Sequence, residues 1–221
     1  ISIQAIPSEY DAERRLYKNY TASDNYIPSS DPGIIQIAKT AGKREKNPYI
    51  RARNIYLYII KQLSYEKRVD HSNLPAILTS TRTGDAYTYA ALYTALCRSS
   101  GIHARVVSGY LVFGNKETIK HYWAEIYIEQ VGWIPIDPLL GDQVSFGGFP
   151  AIEDPQEFYF GNLDNQHIAF SKGIIQLKPL DPSGVIRRRD EAPALQTICE
   201  ESSGIDNYLS SWSLLRVIDW W

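Results

Sequence analysis

Residues 81–110, "TRTGDAYTYAALYTALCRSSGIHARVVSGY", contain the transition that decides the fold. Asp85 is a suitable N-cap, and the apolar side chains behind it recur at helical spacing, so a helix is predicted over about residues 86–100. Gly101 is typical of a helix C-terminus. After it the apolar period changes to two, which predicts a strand over residues 104–113. The stretch therefore indicates a helix that leads directly into a β-sheet.

The composition is that of an ordinary globular chain. With 221 residues, of which 44% are hydrophobic and 22% charged, the chain is long enough to bury a real core. A net charge of -2 gives no electrostatic reason to expect nucleic acid or an anionic membrane surface as a partner. We find neither a long uncharged apolar stretch nor the pattern of a signal peptide, so no membrane insertion is expected. The absence of methionine indicates a trimmed or processed segment.

Cysteine and histidine usage predicts no metal site and no cofactor. Two cysteines are too few for a disulfide scaffold or a cysteine-based zinc site, although one bridge between Cys97 and Cys199 is possible. Cys97 lies deep in the predicted helix, where a buried structural thiol is expected. No two histidines stand at i, i+3 or i+4, the spacing that would favour shared metal ligation on a helix. The four are His71, His103, His121 and His167.

Further elements can be predicted along the chain. Asn47 followed by proline starts a second amphipathic helix that runs to about Tyr65. The polar residues 71–83 and the Gly- and Pro-containing residues 138–166 are predicted loops, and the second is long enough to suggest a functional role. Further strands are predicted over residues 121–128, 133–137 and 168–177.

A helix packed on a mainly antiparallel sheet is the economical arrangement of these elements, which predicts an α+β fold. Residues 46–180 form the predicted core. Residues 1–45 are expected to be an extension of short helices and loops that packs on this core. Residues 181–221 are expected to dock on it as a C-terminal segment.

A hairpin brings two ionisable side chains together. The turn near residues 129–132 lies midway between His121 and Asp137, so these residues should be opposite or diagonal neighbours on adjacent strands. A carboxylate within reach of an imidazole N–H fixes its tautomer and stabilises the imidazolium. Trp123 and Trp133 are expected on the same face of the sheet, where they serve either as core or as a wall for substrate.

Position 86 has the setting of a nucleophile. At a helix N-terminus, next to an imidazolium, the pKa of a thiol falls from about 8.5 to roughly 3.5–7.5. The same backbone amides can act as an oxyanion hole. The side chain at this position, however, is the methyl group of Ala86.

Three blocks in this order resemble the transglutaminase-like superfamily, a group of papain-related Cys-His-Asp enzymes. They are "GDAYTYAALYTALCRSSGIHARVVSGYL", "HYWAEIYI" and "GWIPIDP", and the resemblance covers about residues 48–140. It implies a papain-like fold with His121 as general base and acid and Asp137 as its orienting partner. In the family the first block reads Gly-Asp-Cys, so the nucleophile position corresponds to Ala86. A tyrosine on the preceding helix donates to the oxyanion in some relatives, and the candidates here are Tyr56, Tyr58 and Tyr65.

Two interpretations of Ala86 stay open. We favour a native cysteine that has been replaced by alanine, because the other elements of the triad are intact; the alternative is a natural pseudoenzyme. With a cysteine, the resemblance implies a peptidase or amidase that acts on protein or peptide amides, with a transglutaminase as the alternative. A pseudoenzyme would be a module that binds a peptide or glycan in the old cleft. The resemblance to enzymes that are often exported or attached to the cell surface implies a secreted or cell-surface location.

Overall fold

The helix and strand order of the computed structural model follows the predicted change from helix to sheet. The helices are α1 (Arg15–Thr21), α2 (Pro32–Ala41), α3 (Pro48–Gln62), α4 (Leu74–Ile77), α5 (Ala86–Ser99), α6 (Pro138–Gly141) and α7 (Pro155–Phe158). The strands are β1 (Ser64–Tyr65), β2 (Thr83–Gly84), β3 (Ala104–Val112), β4 (Thr118–Ile128), β5 (Gly132–Ile136), β6 (His167–Lys172), β7 (Arg187–Arg189) and β8 (Ile198–Glu200). The structure describes residues 3, 6, 7, 10–67, 69–114, 117–146, 152–173, 187–189, 198–200, 203–209, 211 and 216–218.

The central sheet is antiparallel throughout. Its strand order is β5-β4-β3-β6, and helix α5 packs against β3 and β4. One face of β4 supplies the aliphatic side chains of Ala124, Ile126 and Ile128, which are buried in the same core as the apolar residues of α5. The fold is therefore α+β, with a helix packed on an antiparallel sheet, as predicted.

The two long helices agree with the sequence except at one end. Helix α5 ends within a residue of its predicted end, and Asn47 caps α3 by accepting hydrogen bonds from the amides of Tyr49 and Ile50. Helix α3, however, ends at Gln62 rather than near residue 65. The next residues become extended because Ser64–Tyr65 pairs in parallel with Thr83–Gly84.

Short helices interrupt both predicted loops. Helix α4 lies within residues 71–83, and α6 and α7 lie within residues 138–166. Each begins at a capping Asn or Asp and has proline in its first turn, a combination that favours a helical turn even in a short segment. These capping signals were present in the sequence, and the prediction of uninterrupted loops was wrong.

The flanking segments are described in part. Helices α1 and α2, in the predicted N-terminal extension, both contact α5. Strand β6 begins one residue earlier than predicted, and its predicted continuation beyond residue 173 lies outside the described residues, as does most of residues 181–221. None of the helices among the described residues is long and apolar enough to cross a membrane.

Cys97 is a free thiol, so it does not form the bridge with Cys199 that the sequence allowed. Its side chain is fully buried in α5, and this burial raises the pKa of the thiol to about 12. Cys97 is thus a structural residue with a protonated and unreactive thiol at neutral pH.

Gly109 permits the close approach of β3 and β6. It pairs with His121 on one side and with Ala169 on the other, next to an irregularity in the register between β3 and β6. A Cβ atom at this position would overlap the carbonyl group of Ile168 and would lie 3.0 Å from the ring of Trp123. Glycine is therefore required where β6 joins the sheet.

We expect Gly109→Ala to lower the free energy of unfolding by about 1–3 kcal/mol, because the clash is with backbone rather than with a flexible side chain. Urea denaturation measures the loss. Gly84→Ala is the control, because its added Cβ meets only side-chain atoms, at 3.0–3.1 Å, and should cost less. Equal stability of the Gly109 variant and the parent chain would contradict this role.

Candidate active site

A buried hydrogen bond joins His121 and Asp137. The register between β4 and β5 pairs Ala124 with Ile136, so Asp137, one residue further, lies diagonally across from His121. His121 Nε2 lies 2.6 Å from Asp137 Oδ2. The exposed fractions are 1% for His121 and 0% for Asp137, so water does not compete for this bond. The predicted diagonal placement is confirmed, while the catalytic roles of the two residues stay predictions.

Asp137 is held on its other side by the backbone. Its Oδ1 atom accepts hydrogen bonds from the amides of Leu139 and Leu140, at 3.1 and 3.0 Å, and so caps α6. Burial by itself would raise the pKa of Asp137, but His121 and His167 outweigh it and hold the pKa well below its usual range. The carboxylate is therefore charged at neutral pH and can only accept hydrogen bonds.

His167 is a third member of this group that sequence reasoning missed. Its Nε2 atom lies 3.0 Å from Asp137 Oδ2, and its Nδ1 atom lies 2.8 Å from Asp164 Oδ1. Burial lowers the pKa of His167, but the hydrogen bonds to the two carboxylates outweigh burial and raise it to about 9. Helical spacing could not reveal this neighbour, because β6 reaches the site only through its pairing with β3.

His121, Asp137 and His167 are also close enough to be tested as metal ligands. One ligand atom from each lies within 4.8 Å of the others. Both Nε2 atoms, however, lie at hydrogen-bonding distance from the same carboxylate oxygen, at 2.6 and 3.0 Å. A metal ion would have to replace both N–H protons between these atoms. The contacts fit a hydrogen-bonded group better than a set of metal ligands.

The first turn of α5 contacts β4, the strand that carries His121. Asp85 caps the helix by accepting the amide of Thr88 at 2.9 Å, which makes Ala86 the first helical residue. Ala86 is half-buried against the core. The ring of Tyr87 contacts that of Tyr122, with centroids 5.6 Å apart. The residues that follow positions 86 and 121 are therefore in contact.

His71 reinforces this turn. Its Nε2 atom lies 3.0 Å from Asp85 Oδ1, and its ring contacts Tyr87 at 4.9 Å between centroids. The hydrogen bond with Asp85 raises the pKa of His71. Burial opposes ionisation of Asp85, but the bonds from His71 and Thr88 outweigh it and lower the pKa of that carboxyl group.

This ion pair predicts pH-dependent stability. A raised pKa in the folded state means that His71 stabilises the protein below its unfolded pKa of about 6.5, and that this contribution is lost as the pH rises through the folded value. We therefore expect His71→Gln to lower the free energy of unfolding more near about pH 5.5 than near about pH 9. Urea denaturation at both pH values measures the difference. In an Asp85→Asn background the difference should disappear; its persistence there would assign it to another group.

The two candidate substrate-wall tryptophans lie in different surroundings. Trp123 is 2% exposed and its ring stacks on His121, with centroids 6.2 Å apart. Trp133 lies at the opposite end of β5 from Asp137, and the guanidinium of Arg105 covers its ring at 3.8 Å. Both residues stay candidates for substrate contact, with Trp123 the nearer to the imidazole.

Among the candidate oxyanion donors, Tyr56 is fully buried and its hydroxyl donates to the carbonyl of Gln156 at 2.9 Å. Tyr65 is more exposed, at 36%. The assignment of a donor to Tyr56, Tyr58 or Tyr65 stays a prediction.

Comparison with known proteins supports the family resemblance of this chain. Residues 35–138 match the model of the Transglutaminase-like superfamily. That range includes position 86, His121 and Asp137. The family is typically enzymatic, with cysteine proteases and transglutaminases among its members.

Individual relatives are more distant. The uncharacterized protein YebA of Bacillus subtilis (strain 168) is 26% identical over 152 residues, which is 58% of this chain and 20% of YebA. A provisionally assigned cysteine protease from Cytophaga hutchinsonii has a TM-score of 0.49 and 22% identity over 57% of this chain and 42% of its own. The periplasmic domain of TgpA from Pseudomonas aeruginosa has a TM-score of 0.47 and 20% identity over 59% and 48%. The chain thus spans about a fifth to a half of these relatives' lengths.

Proposed function

We propose that this chain is the core of a cysteine peptidase or amidase whose active form has cysteine at position 86, and that Ala86 leaves this chain inactive. The observation that carries the proposal is the buried 2.6 Å contact between His121 Nε2 and Asp137 Oδ2. The contact of Tyr87, in the first turn of α5, with Tyr122, the neighbour of His121, and the family match over residues 35–138 support the same assignment. Protein or peptide amides are the proposed substrates.

The hydrogen bonding assigns a proton path. Because Asp137 accepts the N–H at Nε2 of His121, Nδ1 is the ring nitrogen that takes a proton from a thiol at position 86. The thiolate attacks the amide carbonyl carbon, and the imidazolium then gives its proton to the departing amine. The products of this step are a thioester and a free amine. Water, deprotonated by His121, cleaves the thioester and regenerates the thiol.

The start of α5 supports the negative charges that form in these steps. Amide groups of its first turn and the helix dipole favour a thiolate and an oxyanion. The carboxylate of Asp85 accepts a hydrogen bond from the amide of Thr88. The amides nearer position 86 are therefore the candidates for the oxyanion hole. The carboxylate of Asp85 opposes a nearby thiolate, and the contact with His71 at 3.0 Å offsets that charge.

Ala86 itself favours the second candidate function, a module that binds a peptide or glycan without cleaving it. A methyl group cannot attack a carbonyl carbon, and loss of the nucleophile from a triad costs on the order of 10⁶ in turnover. The codon of the native gene at position 86 separates the two proposals. Cysteine there supports the enzyme, and alanine, serine or glycine supports the module.

Restoring the thiol tests the enzyme directly. We expect Ala86→Cys, in a Cys199→Ser background, to cleave an unfolded protein substrate and to lose this activity on treatment with iodoacetamide. Mass spectrometry of the alkylated protein should show modification at position 86 and none at Cys97, whose burial keeps its thiol protonated. Cys97 is thus an internal control for thiol reactivity.

Two further variants sharpen the result. Ala86→Ser places a hydroxyl group where Ala86→Cys places a thiol. This variant should have little activity, because the serine hydroxyl does not form a stable anion at neutral pH. Asp137→Asn, combined with Ala86→Cys, should slow both cleavage and alkylation, because the orienting carboxylate is gone. Full activity of the parent Ala86 chain, or no labelling of the new thiol, would contradict the proposal. Incorporation of an added primary amine in place of hydrolysis would identify a transglutaminase.

A further inference from the structure

One buried group is left over from the proposed mechanism. A His-Asp pair needs one imidazole and one carboxylate, but Asp137 Oδ2 contacts two imidazoles. His121 Nε2 lies 2.6 Å from this oxygen and His167 Nε2 lies 3.0 Å from it. The side chain of His167 is only 2% exposed. Its burial against a charged carboxylate requires a physical explanation.

The geometry fixes the charge of His167. Its Nε2 atom contacts Asp137 and its Nδ1 atom contacts Asp164, both through carboxylate oxygens at 3.0 and 2.8 Å. A neutral imidazole has one N–H only, so it would direct a lone pair at one of the two carboxylates. The imidazolium donates to both. The raised pKa of His167, about 9, agrees with this assignment.

Further contacts fix the imidazolium in place. Asp164 is itself held by the hydroxyl of Tyr159 at 2.8 Å and by the amide of Gln166 at 2.9 Å. The ring of Trp123 packs against His167 with centroids 5.2 Å apart. His167 is therefore a cation with a fixed position, supplied by a strand that carries none of the predicted catalytic residues.

We propose that His167 is a positioning residue, a fixed cation that holds Asp137 Oδ2 where this oxygen accepts the N–H of His121. The proposal rests on the proposed function, because the position of His121 has catalytic meaning only if that residue moves protons. Without His167, Asp137 Oδ2 has one hydrogen-bond donor in place of two. The buried carboxylate of Asp137 also loses a positive charge that compensates its own. Among the described residues, the ionisable groups bonded to His167 are Asp137 and Asp164, while His121 and Tyr159 face its ring.

The first test needs no activity and uses the parent Ala86 chain. We expect the ring of His167 to stay protonated to about pH 9 in an NMR titration. We also expect a strongly deshielded proton resonance from the short bond between His121 and Asp137, and we expect His167→Gln to weaken it or remove it. Comparison with His71→Gln and His103→Gln assigns the signals. Titration of His167 near the ordinary histidine value, or an unchanged resonance in His167→Gln, would overturn the proposal.

The second test uses the Ala86→Cys chain. We expect His167→Gln to lower kcat by about 10- to 100-fold while KM changes by less than about threefold, because the variant alters the orientation of the base rather than contacts to substrate. His167→Arg keeps a cation and donors and should recover part of the loss. Asp164→Asn, which loosens His167 without touching Asp137, should shift kcat in the same direction and by less.

His103→Gln is the matched control. His103 is also buried, at 1% exposure, but it packs among the rings of Tyr10, Tyr17 and Tyr127. We expect this control to lower thermal stability while kcat is retained. Equal losses of kcat in both variants, in proportion to their stability, would reduce His167 to a structural residue. If Ala86→Cys is inactive, the proposed function fails, and the NMR test alone decides the role of His167.

Discussion

The buried hydrogen bond between His121 and Asp137 is the interaction on which the rest of the structure depends. An ionised carboxylate with no exposed surface is stable only if each oxygen has partners. Asp137 Oδ1 accepts hydrogen bonds from two backbone amides of α6, and Oδ2 contacts the ring nitrogens of two imidazoles. The hairpin register, the start of α6 and the attachment of β6 therefore meet at one side chain. The packing of this region and the geometry of the candidate site therefore depend on the same contacts.

The strand order of the sheet brings the third side chain to this carboxylate. His121 lies on β4 and Asp137 directly follows the neighbouring strand β5, whereas His167 lies on β6, which is separated from β4 by β3. Gly109 on β3 leaves room for this approach, because any Cβ there would meet the backbone of β6. A small residue at the centre of the sheet thus permits the second imidazole to contact the carboxylate.

Local signals in the sequence were sufficient for the fold class, the two long helices and the diagonal pair of His121 and Asp137. The hydrophobic period, the capping residues and the hairpin symmetry each involve residues within about 20 positions of one another. They can therefore be recognised in a single sequence. His167 could not be found in this way, because its partner is 30 residues distant and the contact depends on the pairing of β3 with β6. The early end of α3 has the same origin, since a tertiary pairing of β1 with β2 overrides helical propensity.

Ala86 stands at the first helical position of α5 and has no nucleophilic group, in a chain whose residues 35–138 match the model of the Transglutaminase-like superfamily. The central claim is that the first residue of α5 faces the imidazole of His121. A crystal structure of the Ala86→Cys chain measures this directly. The account predicts that the new sulfur atom lies within roughly 3–4 Å of His121 Nδ1. A sulfur that points away from the ring, or that lies more than about 6 Å from Nδ1, would contradict it.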